Sequence, residues 1–198
     1  MFLNSAHKQW LLAGLMMFGS ATQAEEINST MTKSAISTEA LIKALNLEQH
    51  VEGGYYRRTY QSDQRDMVNT SGGERFLLTS IYYLLTNKSP IGHWHKNQSD
   101  ILHFFHLGEP ITYYLIHPDG SLETVVMGSD PTKGQQLQLL VKGGTWKASH
   151  LRQGEFGLIS EAVSPGFDFA DMQLGSRQVL LEQFPQHQEL IQQFTREK

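Results

Sequence analysis

The chain has 198 residues, a formal net charge of -4 and no cysteine. That length is enough for one domain with a real core. The charge argues against a nucleic-acid binder, which usually carries a basic field, and the missing thiols exclude disulfides, thiolate catalysis and Cys-ligated zinc or iron–sulfur centres.

In chain order, MFLNSAHKQW, the apolar WLLAGLMMFG and the small-residue SATQAEE read as a secretory signal peptide over residues 1–24. Its apolar run is too short to span a bilayer, and no later run approaches that length, so no stable membrane anchor is expected after processing. The expected location is periplasmic or secreted. Residues 25–36 read as a flexible linker, and residues 37–198 as a single domain. STEALIKALNL predicts a helix capped by Ser37, with Glu39 in its first turn and an end near Asn46. HVEGGYYRRTYQS places a strand after Gly53 and Gly54. The polar loop SDQRDMVNTSGGE follows. A strand is expected over about 74–86, then short apolar runs split by turns at 108–110, 118–120, 128–131 and 143–144. TWKASHLRQGE, FGLISEAVSPGFDF and SRQVLLEQF continue that strand rhythm. PQHQELIQQFTREK closes the chain as a helix with Leu190, Ile191 and Phe194 on its apolar side. Even spacing without βαβ alternation points to an all-β barrel or sandwich.

Four of the nine histidines fall in GHWHKNQSDILHFFH. Side chains two apart on a strand share a face. That rule directs His93 and His95 into one sheltered pocket. With Asp100 nearby, the pair offers a ligand set for one divalent transition metal. Read without metal, His95 with Glu52 or Asp100 is an acid/base pair, and Tyr56 or Tyr83 returns a proton. His103 reads as a pocket-wall histidine. Trp94, Phe104, Tyr114 and Trp146 are candidate pocket walls, and Arg75 and Lys147 the candidate cations for an anionic ligand. Neither EGGYYR nor VKGGTW has the pattern of a phosphate loop.

The stretches HVEGGYYRRTY, ERFLLTSIYYLLTNKSPIGHWHKNQSDILHFFHLG, YYLIHPDG, VKGGTWKASHL and SPGFDFADMQLG resemble the cupin superfamily. Within it, the chain is most similar to a cupin-like family with a domain of unknown function. The resemblance covers residues 38–183. It implies a double-stranded β-helix, the cupin jelly roll, with a short N-terminal and a short C-terminal helix. It also implies kinship in fold with sugar-nucleotide epimerases, and a homodimer. Metal-binding cupins take two histidines and a carboxylate from a first motif and a histidine from a second. Carried over, His93, His95 and Asp100 match the first. The second motif falls on Thr145, Trp146 and Lys147, which include no histidine. Three functions stay open: an epimerase or isomerase of a sugar-like or other polar metabolite, needing no cofactor; a non-catalytic carbohydrate-like ligand binder; and a metal-dependent cupin oxygenase.

Overall fold

The computed structural model describes residues 36–196, so the signal-peptide reading and nearly all of the linker lie outside the described residues. The first element is α1 (Thr38–Leu45). Ser37 Oγ accepts from the Ala40 N–H at 3.1 Å, and Asn46 ends the helix in a left-handed conformation. A polar cap supplies one of the acceptors that free helical N–H groups need.

Thirteen strands follow. β1 (Glu48–Gln49), β2 (Tyr55–Gln61), β5 (Thr79–Thr86), β12 (Phe156–Ser164), β7 (Asp100–Gly108) and β10 (Gln138–Val141) form, in that order, a six-stranded sheet. β13 (Met172–Leu174), β6 (Ile91–Asn97), β11 (Trp146–Leu151), β8 (Ile111–Ile116) and β9 (Leu122–Met127) form a five-stranded one. β3 (Val68–Thr70) and β4 (Gly73–Arg75) make a separate hairpin. The ladders are antiparallel, as a jelly roll requires. Among the described residues no helix is long and apolar enough to cross a membrane.

Two expectations are corrected. The strand expected over 74–86 is broken: β4 ends at Arg75, and the intervening Phe76 carbonyl accepts the Gly166 N–H at 2.6 Å. SRQVLLEQF holds a helix, α2 (Arg177–Gln183), which packs with α3 (Gln188–Phe194). Leu180 is buried among Ile191, Phe194 and Trp94, so a helical contact outweighs the local strand rhythm.

Three apolar clusters order the layers. Between the sheets lie Leu85, Phe105, Ile111, Leu115, Met127 and Ile159, among others. Leu41 of α1 packs with Leu84 and Leu158 on the outside of the six-stranded sheet. Trp94, Ile116, Trp146 and Ala148 meet α2 and α3 on the outside of the five-stranded sheet. Each fully buried large side chain contributes roughly 1.5–3 kcal/mol.

Candidate functional site

The site begins at a turn. Gly53 and Gly54 take φ of 107° and 68°, a region open chiefly to glycine. A Cβ on Gly53 would run into the Ile91 carbonyl oxygen of β6. The His93 N–H donates to the Glu52 carbonyl at 2.7 Å. Turn and strand are thereby pressed together, and the Glu52 side chain reaches between two imidazoles. Oε1 lies 3.0 Å from His50 Nδ1, and Oε2 lies 2.5 Å from His95 Nε2.

Proton positions follow from the partners. His95 Nδ1 faces the His93 carbonyl at 2.8 Å, an acceptor only, so Nδ1 carries a hydrogen. Nε2 faces a carboxylate, so one more proton sits in the pair. Burial pushes the Glu52 carboxyl up, but the His95 charge and the hydrogen bonds of His50 and His95 hold it well below the usual carboxylate range. Glu52 is therefore the ionised member, held between the two imidazoles. At this distance the Nε2 edge of His95 is already engaged with Glu52 as an ion pair.

A second ionic group lies beside the first, because the strand register puts it there. Lys147 of β11 is directly opposite His95, and Glu161 of β12 is directly opposite His103 of β7. Lys147 Nζ is 2.9 Å from His103 Nε2 and 3.4 Å from Glu161 Oε1. His103 Nδ1 points to the Leu139 carbonyl at 3.4 Å. His103 Nε2 also lies 3.2 Å from Glu161 Oε1, so the imidazole sits between an ammonium and a carboxylate. Burial and the Lys147 charge both push the His103 imidazole down, against a smaller upward pull from Glu161. Against the upward push of burial, Lys147 and His103 pull the Glu161 carboxyl down to about 2. His103 is fully buried, Lys147 is 3% exposed and Glu161 8%.

Two phenols complete this inner face. Tyr83 donates to the Gly53 carbonyl at 2.9 Å. Tyr113 stands edge-on to His103 with ring centroids 5.1 Å apart. Burial, reinforced by both glutamates, pushes the two hydroxyls well above the usual phenol range. Among the described residues, five buried side-chain polar atoms find no hydrogen-bond partner. Three of them, Asn97 Oδ1, Tyr113 Oη and Thr145 Oγ1, belong to the inner face or its rim, and a fourth, His95 Nε2, is held there in the ion pair with Glu52. Asn97 and Thr145 share an inner recess with Lys147. Asn97 also opens onto a cavity of about 430 Å³ beneath residues 170–173. Native interiors pair nearly all their buried polar groups, so these unpaired atoms distinguish this face from the rest of the interior.

The structure brings His95, Glu52, Tyr83, His103 and Lys147 together and separates the rest of the expected set. The pairing of β6 with β11 takes two steps on β11 from Lys147 to Ser149, but three on β6 from His95 to Gly92. This bulge breaks the alternation. Gly92 and His95 face inward, while His93 turns to the outer side and its Nδ1 donates to the Phe194 carbonyl of α3 at 3.1 Å. There it lines an open cleft of about 1010 Å³ with Trp94, Gly175 and Arg177. The shared pocket expected for both imidazoles is therefore corrected. Trp94 and Trp146 are also outside, in the cluster under α2 and α3. Tyr114 stacks on Phe194 at 5.0 Å, and Phe104 lies on the outward side of β7. Arg75 makes a two-pronged ion pair with Asp171 at 2.6 and 2.8 Å, which ties the hairpin to the segment before β13. Sequence reading missed Glu161, Tyr113 and Asn97 and gave His50 no role. A lone glutamate inside the apolar FGLISEAV was the available signal for Glu161.

The cupin metal set does not fit. Asp100 is held by Lys142 Nζ at 2.7 Å and the Gly143 N–H at 2.9 Å. His93 and His95 diverge, and the cross-strand neighbour of His95 is an ammonium. Among the described residues no three His, Asp or Glu side chains form a group able to hold a metal ion.

Residues 39–175 match the family described as "Cupin superfamily (DUF985)". An uncharacterized yeast protein, YML079W of Saccharomyces cerevisiae, is 40% identical over 154 residues, 71% of this chain and 76% of its own length. The solved structure of a hypothetical protein from Leishmania major superposes with a TM-score of 0.76 at 32% identity, covering 81% of this chain and 99% of that one. Protein SO0799 from Shewanella oneidensis gives 0.75 at 39% identity, covering 82% and 99%. A variant of Bacillus subtilis oxalate decarboxylase gives 0.51 at 12% identity, covering 79% and 39%, a likeness that bears on the fold alone. The chain belongs to this DUF985 family of the cupin superfamily, and its all-β architecture is the jelly roll of that superfamily.

Proposed function

We propose that this cupin takes a small, sugar-like metabolite against its inner face and moves a proton on it, as an isomerase or epimerase does. The observation that carries the reading is the gathering of unpartnered polar atoms on the face that holds the Glu52–His95 pair. With Nδ1 bonded to the His93 carbonyl and Nε2 set against an ionised carboxylate, His95 in its doubly protonated form acts as the acid. It gives the Nε2 hydrogen to a substrate carbonyl oxygen. Glu52 then loses its counter-charge, becomes more basic, and takes the hydrogen from the neighbouring carbon. The C–H electrons form the enediol double bond, and the carbonyl oxygen, taking up the His95 proton with its π electrons, becomes a hydroxyl on the same carbon. The pair ends as neutral imidazole and carboxylic acid, so no charge accumulates in the buried site. Return of the proton at the other carbon, or on the other side of the same carbon, completes isomerisation or epimerisation. Tyr83, whose hydroxyl holds its hydrogen firmly, positions Glu52 through the Gly53 carbonyl. No step passes through a metal.

The test is exchange of carbon-bound hydrogen from D2O into free hexoses and pentoses, read by NMR and mass spectrometry. His95→Asn should slow exchange by about 10²–10⁴-fold, the usual contribution of a positioned acid or base. Exchange at the wild-type rate would remove His95 from the chemistry. Tight binding with no exchange in the wild type would favour a non-catalytic sugar binder, a reading supported by the close packing around His95, which is 3% exposed. Export to the periplasm or medium belongs to the same proposal. So does a homodimer formed along edge strand β10, where Leu137 and Leu140 are exposed.

A further inference from the structure

We infer that the inner face selects an electrically neutral polyhydroxy compound, an unmodified sugar, over the acidic, phosphorylated or amino forms of the same sugar. The inference names the substrate class of the site proposed above and rests on that reading. Its first support is the pairing of charges. The buried ammonium of Lys147 is matched by Glu161, and the proton of His95 by Glu52. Arg75, the other basic group expected to meet an anion, is taken up by Asp171. An anion on the inner face would find no unmatched cation, and a cation no unmatched carboxylate. Either would be stripped of water without compensation.

The second support is the kind of hydrogen bond left open. Asn97 Oδ1 is an acceptor, and the Tyr113 and Thr145 hydroxyls are donor and acceptor both. A carboxylate or phosphate only accepts and an ammonium only donates, so each would satisfy part of this set. Sugar hydroxyls do both. The field on the inner face agrees. Glu52 and Glu161 lie near enough to Tyr83 and Tyr113 to add to the upward push of burial on both hydroxyls, and so stand against an anion placed there. The Lys147 ammonium opposes a cation from β11.

Titration calorimetry with glucose, galactose, mannose and xylose, set against glucuronate, galacturonate, glucosamine and glucose 6-phosphate, tests this directly. At least one neutral sugar should bind, and its charged counterparts at least about tenfold more weakly, a difference of about 1.4 kcal/mol. Glu161→Gln leaves the Lys147 ammonium unmatched and should shift preference toward the uronates by about tenfold. Its folding is checked by circular dichroism, and the wild-type comparison stands without it. Equal or tighter binding of a charged form to the wild type would overturn the inference and leave the acid/base reading intact. No binding by any of these sugars would overturn both. Neutral binding without deuterium exchange would uphold the selectivity and overturn the catalysis.

Discussion

Trp94 and His95 are adjacent in sequence and sit in opposite chemistry. On the outer side of the β6–β11 sheet, Trp94 and Trp146 are buried under α2 and α3 in an apolar cluster. On the inner side, His95 and Lys147 sit opposite one another among carboxylates and phenols. The difference shows where each job is done. Apolar packing on the outer side stabilises the domain and fastens the C-terminal helices. The inner side carries buried ionic groups that stabilise little, since desolvating charges offsets much of their attraction. The polar end of the inner side, set beside the apolar cluster between the sheets, keeps polar atoms unpaired and has the properties of a binding surface.

The largest effect should come from the outer side. Trp94→Ala removes a side chain that is 1% exposed, and should cost about 3–5 kcal/mol in chemical denaturation. A loss under about 1 kcal/mol would mean that α2 and α3 are not fastened through this cluster.

The inner side should reveal itself through acid. Glu161 is depressed to about 2 from an ordinary 4.5, and Glu52 is lowered too. A carboxyl with a depressed folded-state pKa stabilises fully above its unfolded value and loses that contribution as pH falls through the folded one. Stability should therefore drop between about pH 4.5 and 2, by on the order of 3 kcal/mol for Glu161. Glu161→Gln, whatever its absolute stability, should show a shallower slope across that window. An unchanged slope would place the acid sensitivity elsewhere.

The smallest effect belongs to a residue on neither face. Asp100 is paired with Lys142 in solvent, so Asp100→Asn should change stability by less than about 1 kcal/mol and leave sugar binding untouched. Loss of binding in that variant would move the site to the β6–β7 turn and end the comparison.

Much of this architecture was legible in the sequence. The glycine- and proline-bearing turns separate β7, β8, β9, β10 and β11 where they were expected, and Ser37 and Asn46 bound α1. Local chemistry decides those features. The inner face was legible only in part. His95, Glu52, Tyr83, His103 and Lys147 are polar or aromatic residues whose grouping depends on strand register, and regular alternation was a good guide for most of them. It failed at His93, because the bulge in β6 is set by pairing with β11, which nothing in GHWH announces. Trp94, next to His95, faces outward by ordinary alternation. Helix α2 was missed because RQVLLEQ suits strand or helix until Ile191 and Phe194 arrive to cover Leu180.

Gly53 has a consequence that reaches the chemistry next door. With its backbone flush against the Ile91 carbonyl, a single methyl there would act as a wedge between turn and strand. Glu52 would be levered away from His95, and acid and base would no longer meet the same substrate although neither group is removed.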